Sequence, residues 1–156
     1  MPVKPIPVGY HTATPYLIVH GAAEAIEFYK KAFGATELFR MVGPDGRIGH
    51  AEIKIGNSPI MLSDEHLEMG IKSAKTLGGS PMFLNLYVNN VDALAAQAVA
   101  AGAKAVRAIQ NQFYGDRSGT FEDPFGLWWT ISTHVEDVPP EEMKRRSEEA
   151  MKQKSC

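Results

Sequence analysis

The sequence is nearly without cysteine: Cys156 is the single one among its 156 residues. A lone cysteine cannot form a disulfide within its own chain. Disulfides are common in secreted proteins and rare in the cytoplasm. We therefore expect a cytoplasmic protein, although any compartment in which disulfides are not needed fits the composition equally well.

An excess of positive charge and a long apolar run are also lacking. The chain has 16 basic and 18 acidic residues and a net charge of −2. Proteins that bind phosphate backbones or anionic membranes usually carry a basic patch. No apolar run approaches the roughly 20 residues that span a bilayer, and the first residues contain no apolar signal segment. We expect neither a nucleic acid nor a membrane as a partner.

What is present is the profile of a globular protein, with 44% hydrophobic and 22% charged residues. This length suggests one domain or two small halves that share a core. Residues 1–13 hold three prolines and form an extended arm. Residues 14–63 predict a strand, a helix ("AAEAIEFYKKAF") that ends at Gly34, and three more strands. In the strand "IGHAEIKIG", strict alternation places His50 and Glu52 on one face.

The same order of elements recurs in residues 81–134, which indicates a duplicated β-α-β-β-β unit. Gly34, which ends the first helix, corresponds to Gly102 at the end of the second. Residues 64–80 join the two units without clear periodicity, as a functional lid or a disordered linker does. Residues 135–156 predict an appended helix, which is opened by a pair of prolines.

Two such units, with "FYKKAFGA" after the first strand and "EDPFG" before the last, resemble the vicinal oxygen chelate superfamily of glyoxalases, bleomycin-resistance proteins and extradiol dioxygenases. The stretches "GRIGHAEIKIG", "SPIMLSDE" and "QFYGDRSGTFEDPFG" look like its PhnB-like branch. The resemblance implies an α+β fold, in which tandem βαβββ modules form a curved, open mixed sheet around a cavity, with a C-terminal helix added. It also implies a homodimer, because such proteins commonly pair modules across two chains.

The resemblance further implies where a metal would lie. Metal-dependent members carry one His, Gln or Glu ligand on the first and last strand of each module. In this sequence those positions fall near Thr14, Met61, Phe83 and Thr130. Thr and Met are weak ligands for divalent metals, and Phe cannot coordinate one. We therefore expect no metal cofactor, and we expect the hairpin that contains "EDPFG" to serve as a wall of the cavity.

His50 and Glu52 are the candidates for catalysis, because the resemblance places their strand face in the cavity. There they form a proton-transfer pair, a pair of polar anchors, or part of a non-standard metal site. The alternative is a solvated polar face without a function.

Aromatic residues predict the walls of a ligand pocket. Strand parity places Tyr16, Phe83, Tyr87 and Trp128 at cavity-facing positions, together with Asn85. Aromatic walls with a few polar groups suit a mid-sized organic ligand. The alternative is that these rings fill the interior and leave no cavity.

Three further residues complete the predicted ligand site: Tyr114, Arg117 and Thr130. Tyr114 and Arg117 lie in the turn "FYGDRSG", and Thr130 shares the parity of Trp128. The planar guanidinium of Arg117 is suited to anchor a substrate carboxylate. A surface ion pair of Arg117 with Asp116 or Glu122 is at least as good an interpretation.

These features lead to three hypotheses of function. The first is a metal-free protein that binds a small organic molecule in the aromatic-walled cavity. The second is a lyase or isomerase of glyoxalase type that uses Glu52 and His50 as base and acid, with or without a divalent metal. The third is an assembly protein that has no ligand and makes contacts through its C-terminal helix.

Overall fold

The first half of the chain folds as one βαβββ module. In the computed structural model, which describes residues 2–155, its elements are β1 (Tyr16–Val19), α1 (Ala22–Phe33), β2 (Thr36–Val42), β3 (Ile48–Ile55) and β4 (Ser58–Asp64). The strands form a mixed sheet, here called the first sheet, in the order β1-β4-β3-β2. β1 is parallel to β4, and the other neighbours are antiparallel.

A connecting segment leads to a second module with the same order of elements. The segment contains a 3-10 turn (Leu67–Met69) and the short helix α2 (Ala74–Leu77). The second module consists of β5 (Phe83–Tyr87), α3 (Val91–Ala101), β6 (Lys104–Asn111), β7 (Asp116–Glu122) and β8 (Trp128–His134). Its strands form the second sheet, in the order β5-β8-β7-β6. The predicted fold class, with tandem βαβββ modules, is confirmed.

The predicted C-terminal helix is also confirmed, as α4 (Pro140–Lys154), and it lies on the surface without a buried residue. Arg146 tethers α4 to the second module, since its Nη1 donates to the carbonyl oxygen of Phe113 at 3.2 Å. Its guanidinium also forms an ion pair with Glu136 at 2.8 Å. Within residues 2–155, no helix has the length and apolar character needed to cross a membrane.

In each module, the end of the last strand caps the N-terminus of the helix. The Asp64 carboxylate accepts hydrogen bonds from the backbone N–H groups of Gly21 and Ala22, at 2.9 and 2.8 Å. In the second module, Thr133 Oγ1 accepts one from the N–H of Val91 at 2.9 Å. These bonds satisfy N–H groups that a helix cannot pair internally, and they fix each helix across its own sheet.

The two modules are joined through their helices. Helix α1 contacts α3 and also reaches the second sheet, where the ring of Tyr29 lies 5.2 Å from that of Trp129. Both side chains are fully buried, and both donate to the buried carboxylate of Asp123, at 2.7 and 2.8 Å. Trp129 thus packs beneath α1, a helix of the other module. The helices and the sheet faces that meet them form the core.

The opposite face of each sheet is left uncovered. On the first sheet Tyr16 keeps 44% of its surface exposed, and on the second sheet Phe83 and Tyr87 keep 51% and 64%. Within residues 2–155, no strand of one sheet packs extensively on a strand of the other. The molecule therefore presents two separate surfaces, the first open face (with Tyr16) and the second open face (with Phe83).

Glu65 holds the connecting segment in place. Its carboxylate accepts hydrogen bonds from Ser73 N at 2.9 Å and from Thr76 Oγ1 at 2.7 Å, and His20 Nδ1 lies 3.0 Å away. The Ser73 hydroxyl in turn caps α2 by accepting from Thr76 N. These bonds order a segment whose sequence shows no periodicity.

Stability is expected to fall as Glu65 becomes protonated. The hydrogen bond from Ser73 N, and then that from Thr76, lower the pKa of Glu65 from 4.5 to about 2. A carboxyl whose pKa is depressed by folding stabilises the fold above its unfolded pKa, and this contribution is lost as the pH falls from about 5 to about 2. We expect Glu65→Gln to lower the free energy of unfolding by roughly 1–2 kcal/mol at pH 7. In urea unfolding, the stability of this variant should depend less on pH between about 5 and about 2 than that of wild type. The control is Glu148→Gln on the exposed side of α4; an unchanged pH profile in Glu65→Gln would contradict the assignment.

Candidate functional site

The strand register of the second sheet places four polar side chains in a row across the second open face. Arg107 lies opposite Thr120, Thr120 opposite Thr130, and Thr130 beside Asn85. Opposed residues of neighbouring strands point to the same side of a sheet. The hydroxyls of Thr120 and Thr130 lie 3.1 Å apart, so the middle of the row is a pair of hydrogen-bonding groups.

An aromatic pair flanks this row. Phe83 and Trp128 are opposed in register, and their rings stack with centroids 5.1 Å apart and an interplanar angle of 28°. At the other end of the sheet Phe113 and Tyr114 meet edge to face, with centroids 5.4 Å apart. Half-exposed aromatic rings on a sheet face mark a surface that is suited to a ligand or a partner.

Three members of the row, Arg107, Thr120 and Thr130, line a cavity of about 640 Å³, together with Phe83, Phe113 and Tyr114. This volume lies in the range of sites that hold organic molecules. The lining also includes Gln110, Gln112, Ser118 and, from the end of α4, Lys154. Every lining residue belongs to the second module or to α4, so one half of the chain and the C-terminal helix build this cavity.

Phe83, Tyr114 and Thr130, which the sequence predicts to bind a ligand, line this cavity. Trp128 supports it through the stack on Phe83. Tyr16 lies on the first open face instead, so within one chain it does not share a cavity with Phe83 and Trp128.

The other three predicted ligand residues have partners within the chain. Asn85 accepts a hydrogen bond from the Ser132 hydroxyl at 2.7 Å, and Tyr87 donates one to Asp116 at 2.7 Å, which raises the pKa of Tyr87. Arg117 donates two bonds of 2.8 Å to Asp92. Its guanidinium is therefore held in a surface ion pair and does not line the cavity.

Sequence reasoning missed Arg107 and Lys154. The pairing of β6 with β7 shifts register on both sides of Arg107, as in a β-bulge. Such shifts break the period of two, so alternation in "AKAVRAIQNQF" does not reveal which side Arg107 faces. Lys154 lines the cavity from the end of α4, and no local pattern in the sequence indicates where that helix ends relative to the second sheet.

A second polar cluster lies on the first open face. Tyr16 Oη lies 2.8 Å from His50 Nδ1, and His50 Nε2 lies 3.1 Å from Glu52 Oε1. The Tyr10 hydroxyl donates to the other carboxylate oxygen of Glu52. The structure thus brings His50 and Glu52 together and adds a tyrosine at each end of a hydrogen-bonded chain.

The charge on Glu52 decides how protons are arranged in this chain. The hydrogen bond from Tyr10, and then that from His50, lower the pKa of Glu52, while the same Tyr10–Glu52 bond raises the pKa of Tyr10 to about 12. An ionised Glu52 only accepts, so a neutral His50 carries its proton on Nε2, and its Nδ1 accepts from the Tyr16 hydroxyl. Glu52 then orients the imidazole.

Replacing His50 or Glu52 with alanine is expected to change the free energy of unfolding by no more than roughly 1 kcal/mol. Their side chains remain 21% and 22% exposed and contact one another and two partly exposed tyrosines rather than the core. Urea unfolding measures the change. Ile53→Ala, on the buried face of the same strand, is the contrasting variant and should cost about 2–4 kcal/mol. A loss of that size in either polar variant would show a structural role.

Two βαβββ modules joined through their helices, each with an open and partly aromatic sheet face, define a protein of the two-module glyoxalase type. The model of the Glyoxalase/Bleomycin resistance protein/Dioxygenase superfamily matches residues 10–131. The chain therefore belongs to this superfamily, which is the vicinal oxygen chelate superfamily that its motifs resemble.

The relatives that match this chain include uncharacterized proteins and several solved structures. The uncharacterized protein Rv0887c of Mycobacterium tuberculosis is 43% identical over 134 residues, which cover 84% of this chain and 79% of that protein. The X-ray structure of the Arabidopsis thaliana gene product At5g48480 matches with a TM-score of 0.65 at 28% identity, covering 79% of this chain and 98% of that one. The structure of TioX from Micromonospora, with a TM-score of 0.63 at 22% identity over 79% of this chain and 99% of TioX, shows the shared fold alone.

The side chains at the metal positions of metal-dependent relatives do not fit a divalent metal. Thr14 precedes β1, Met61 lies opposite Tyr16, Phe83 is stacked on a tryptophan, and the Thr130 hydroxyl bonds to another threonine. Two hydroxyls, a thioether and a benzene ring make no Zn, Ni, Fe or Mn site. Within residues 2–155, no group of three His, Cys, Asp or Glu side chains is arranged to hold a metal ion. No chemical step of this chain is therefore assigned to a metal.

We expect the purified protein to hold no stoichiometric divalent metal at these four positions. Elemental analysis and melting curves titrated with Zn²⁺, Ni²⁺ and Mn²⁺ measure this directly. One tightly held equivalent that is lost in Thr130→Ala would contradict the ligand argument. An equivalent that is lost in Glu52→Ala and kept in Thr130→Ala would instead place a metal on the first open face.

Proposed function

We propose that this chain binds a small organic molecule on its second open face, without a divalent metal. The observation that carries the proposal is the cavity of about 640 Å³ beside the Phe83–Trp128 stack. Stacked rings offer dispersion contacts to a flat apolar group. The hydroxyls and amides around Thr120 and Thr130 orient a polar group.

We also infer membership of the PhnB-like branch and a cytoplasmic location. The stretches "FYKKAFGA" and "GRIGHAEIKIG" support the branch. A PhnB protein from Bacillus cereus matches with a TM-score of 0.61 at 16% identity, over 79% of this chain and 99% of that one, which supports the fold only. The single cysteine supports the location.

A homodimer is part of the proposal, with a second copy of the chain covering the first open face. Strand β2, at the edge of the first sheet, exposes four apolar side chains, here called the β2 patch: Leu38, Phe39, Met41 and Val42. Each is about half exposed, and an edge strand with such side chains is prone to associate. Covering the β2 patch would enclose the Tyr16–His50–Glu52 cluster beside it.

Ligand binding is tested by a small-molecule screen with thermal melting and NMR on wild type, Phe83→Ala and Trp128→Ala. Compounds that raise the melting temperature of the wild type should bind at least about tenfold more weakly to both variants, because each removes half of the stack. Met69→Ala, at an exposed position of the connecting segment, is the control. Compounds that bind all four proteins equally would place the ligand elsewhere and contradict the proposal.

Proton transfer, as in a lyase or isomerase of glyoxalase type, is a second candidate function, supported by the Tyr16–His50–Glu52 chain. A carboxylate orients the imidazole there, and the imidazole accepts from a hydroxyl at the exposed end. Such a chain is able to relay a proton: as the Tyr16 oxygen takes a proton from a carbon next to a carbonyl group, its own proton passes to Nδ1 of His50.

The proton-transfer candidate is tested by deuterium exchange of hydroxyacetone in D₂O, followed by NMR. Exchange faster than in buffer, lost in His50→Gln and reduced in Glu52→Gln, would support the assignment. Exchange that the protein accelerates equally in wild type and both variants, or does not accelerate at all, would contradict it.

A further inference from the structure

The cavity on the second open face contains positive charge and no negative charge. Arg107 and Lys154 both line it, and none of its lining residues is an Asp or a Glu. The chain as a whole has the opposite balance, with 18 acidic and 16 basic residues. The net charge of the cavity lining is therefore positive, whereas the net charge of the whole chain is negative.

Arg107 also differs from the other arginines of the chain. Each of the other five forms an ion pair with a carboxylate. Within residues 2–155, neither Arg107 nor Lys154 forms an ion pair. A planar guanidinium left beside a cavity is suited to hold an oxyanion by two parallel hydrogen bonds.

The row across the sheet sets the distance between this charge and the aromatic stack. Arg107 lies on β6 and Trp128 on β8, with β7 between them. Two strand spacings, combined with the two-residue offset from Thr130 to Trp128 along β8, separate the two backbones by about 12 Å, and an arginine side chain that extends over the sheet shortens this gap by several ångströms. The polar midpoint is the Thr120–Thr130 hydroxyl pair, which is able to donate to the same ligand.

The C-terminal helix supplies the second cation. Arg146 anchors α4 at the carbonyl of Phe113, at one end of the cavity, and the last residue of the helix, Lys154, reaches the lining. From this anchor to Lys154 the helix advances eight positions, or about 12 Å. The C-terminal end of the helix thus forms part of the cavity lining.

We propose that the ligand of this cavity is an organic anion, with a flat apolar group that stacks on Phe83 and a carboxylate that Arg107 and Lys154 hold together. The assignment rests on the proposed function, because it names the class of the molecule that the second open face binds. It also assigns a role to α4, which brings one of the two cationic groups to the ligand.

The experiment compares three probes of the same shape and different charge: 2-naphthoate, 2-naphthamide and 2-naphthylmethylamine. Their affinities are measured by NMR titration with wild type, Arg107→Gln, Lys154→Gln and, as the control, Lys152→Gln on the same helix. We expect wild type to bind the carboxylate at least about tenfold more tightly than the amide, and the amine most weakly. In each cavity variant the affinity for the carboxylate should fall close to that for the amide, and the affinity for the amide should stay unchanged. Lys152→Gln should bind all three probes as wild type does.

The outcomes separate this assignment from the proposed function. An amide or amine that binds as tightly as the carboxylate, with loss in Phe83→Ala, would overturn the anionic ligand and leave small-molecule binding intact. A carboxylate preference that is equal in wild type and both cavity variants would overturn the roles of Arg107 and Lys154. Absence of binding for all three probes would overturn both proposals for ligands of this size.

Discussion

Replacing Asp123 with alanine is expected to destabilise the fold by about 3–5 kcal/mol, which is as much as the loss of a large core side chain. The carboxylate is 4% exposed and accepts four hydrogen bonds. Its donors are the backbone N–H groups of Phe125 and Leu127, the Tyr29 hydroxyl and the Trp129 indole N–H, all at 2.7–3.0 Å. Alanine would leave all four donors buried and unpaired.

The position of these donors explains why the loss should be global. Phe125 and Leu127 lie in the turn between β7 and β8, Trp129 lies in β8, and Tyr29 lies in α1 of the first module. Asp123 therefore ties a hairpin of one module to the helix of the other. Burial raises the pKa of Asp123, against the hydrogen bonds that favour its ionised form, and this shows how far the group is removed from water.

Urea unfolding of three variants tests this role. Asp123→Ala should lower the free energy of unfolding by the full amount of about 3–5 kcal/mol, the cost of a large core side chain. Tyr29→Phe removes one of the four hydrogen bonds and should lower it by about 1–2 kcal/mol. The matched control is Asp45→Ala, in the exposed turn between β2 and β3, with an expected change within about 0.5 kcal/mol. A loss in Asp123→Ala no larger than in Asp45→Ala would show that the hairpin is held by apolar packing alone.

Asp123 also shows what the sequence could and could not predict. The motif "EDPFG" comes before the predicted last strand, and the structure has a turn there, between β7 and β8. The same reasoning treats the hairpin as a wall of the cavity. It does not find Asp123, because its partner Tyr29 lies 94 residues away and no local pattern joins them.

Long-range contacts limit the prediction of the candidate site in the same way. Strand parity correctly groups Phe83, Trp128 and Thr130, since side chains two apart in a strand share a face. It also gives Tyr16 a cavity-facing position, but it cannot say which faces meet, because that depends on how α1 and α3 pack together. Tyr10 is missed for a related reason, since it reaches Glu52 from an arm that has no periodicity.

The second large effect is expected at the β2 patch, where Met41→Glu combined with Val42→Glu should convert a symmetric dimer into a monomer. The two side chains are 52% and 58% exposed in the single chain, so charge there costs the folded chain little. In a dimer that covers the patch, both charges would be buried without a partner, which should raise the dimer dissociation constant at least about a hundredfold.

Light scattering coupled to size exclusion measures the mass at micromolar concentration. Wild type should elute with twice the 17.1 kDa of one chain, and the double variant with the mass of one chain. Val99→Lys is the control, because Val99 is 48% exposed on α3, away from the first sheet. A monomeric wild type would refute the dimer, and a dimer that only Val99→Lys dissociates would move the interface to α3. A dimer that only the double variant dissociates would place the interface at the β2 patch, where Phe39 and Met41 lie opposite Glu52 and His50, and would support a second copy of the chain covering this cluster.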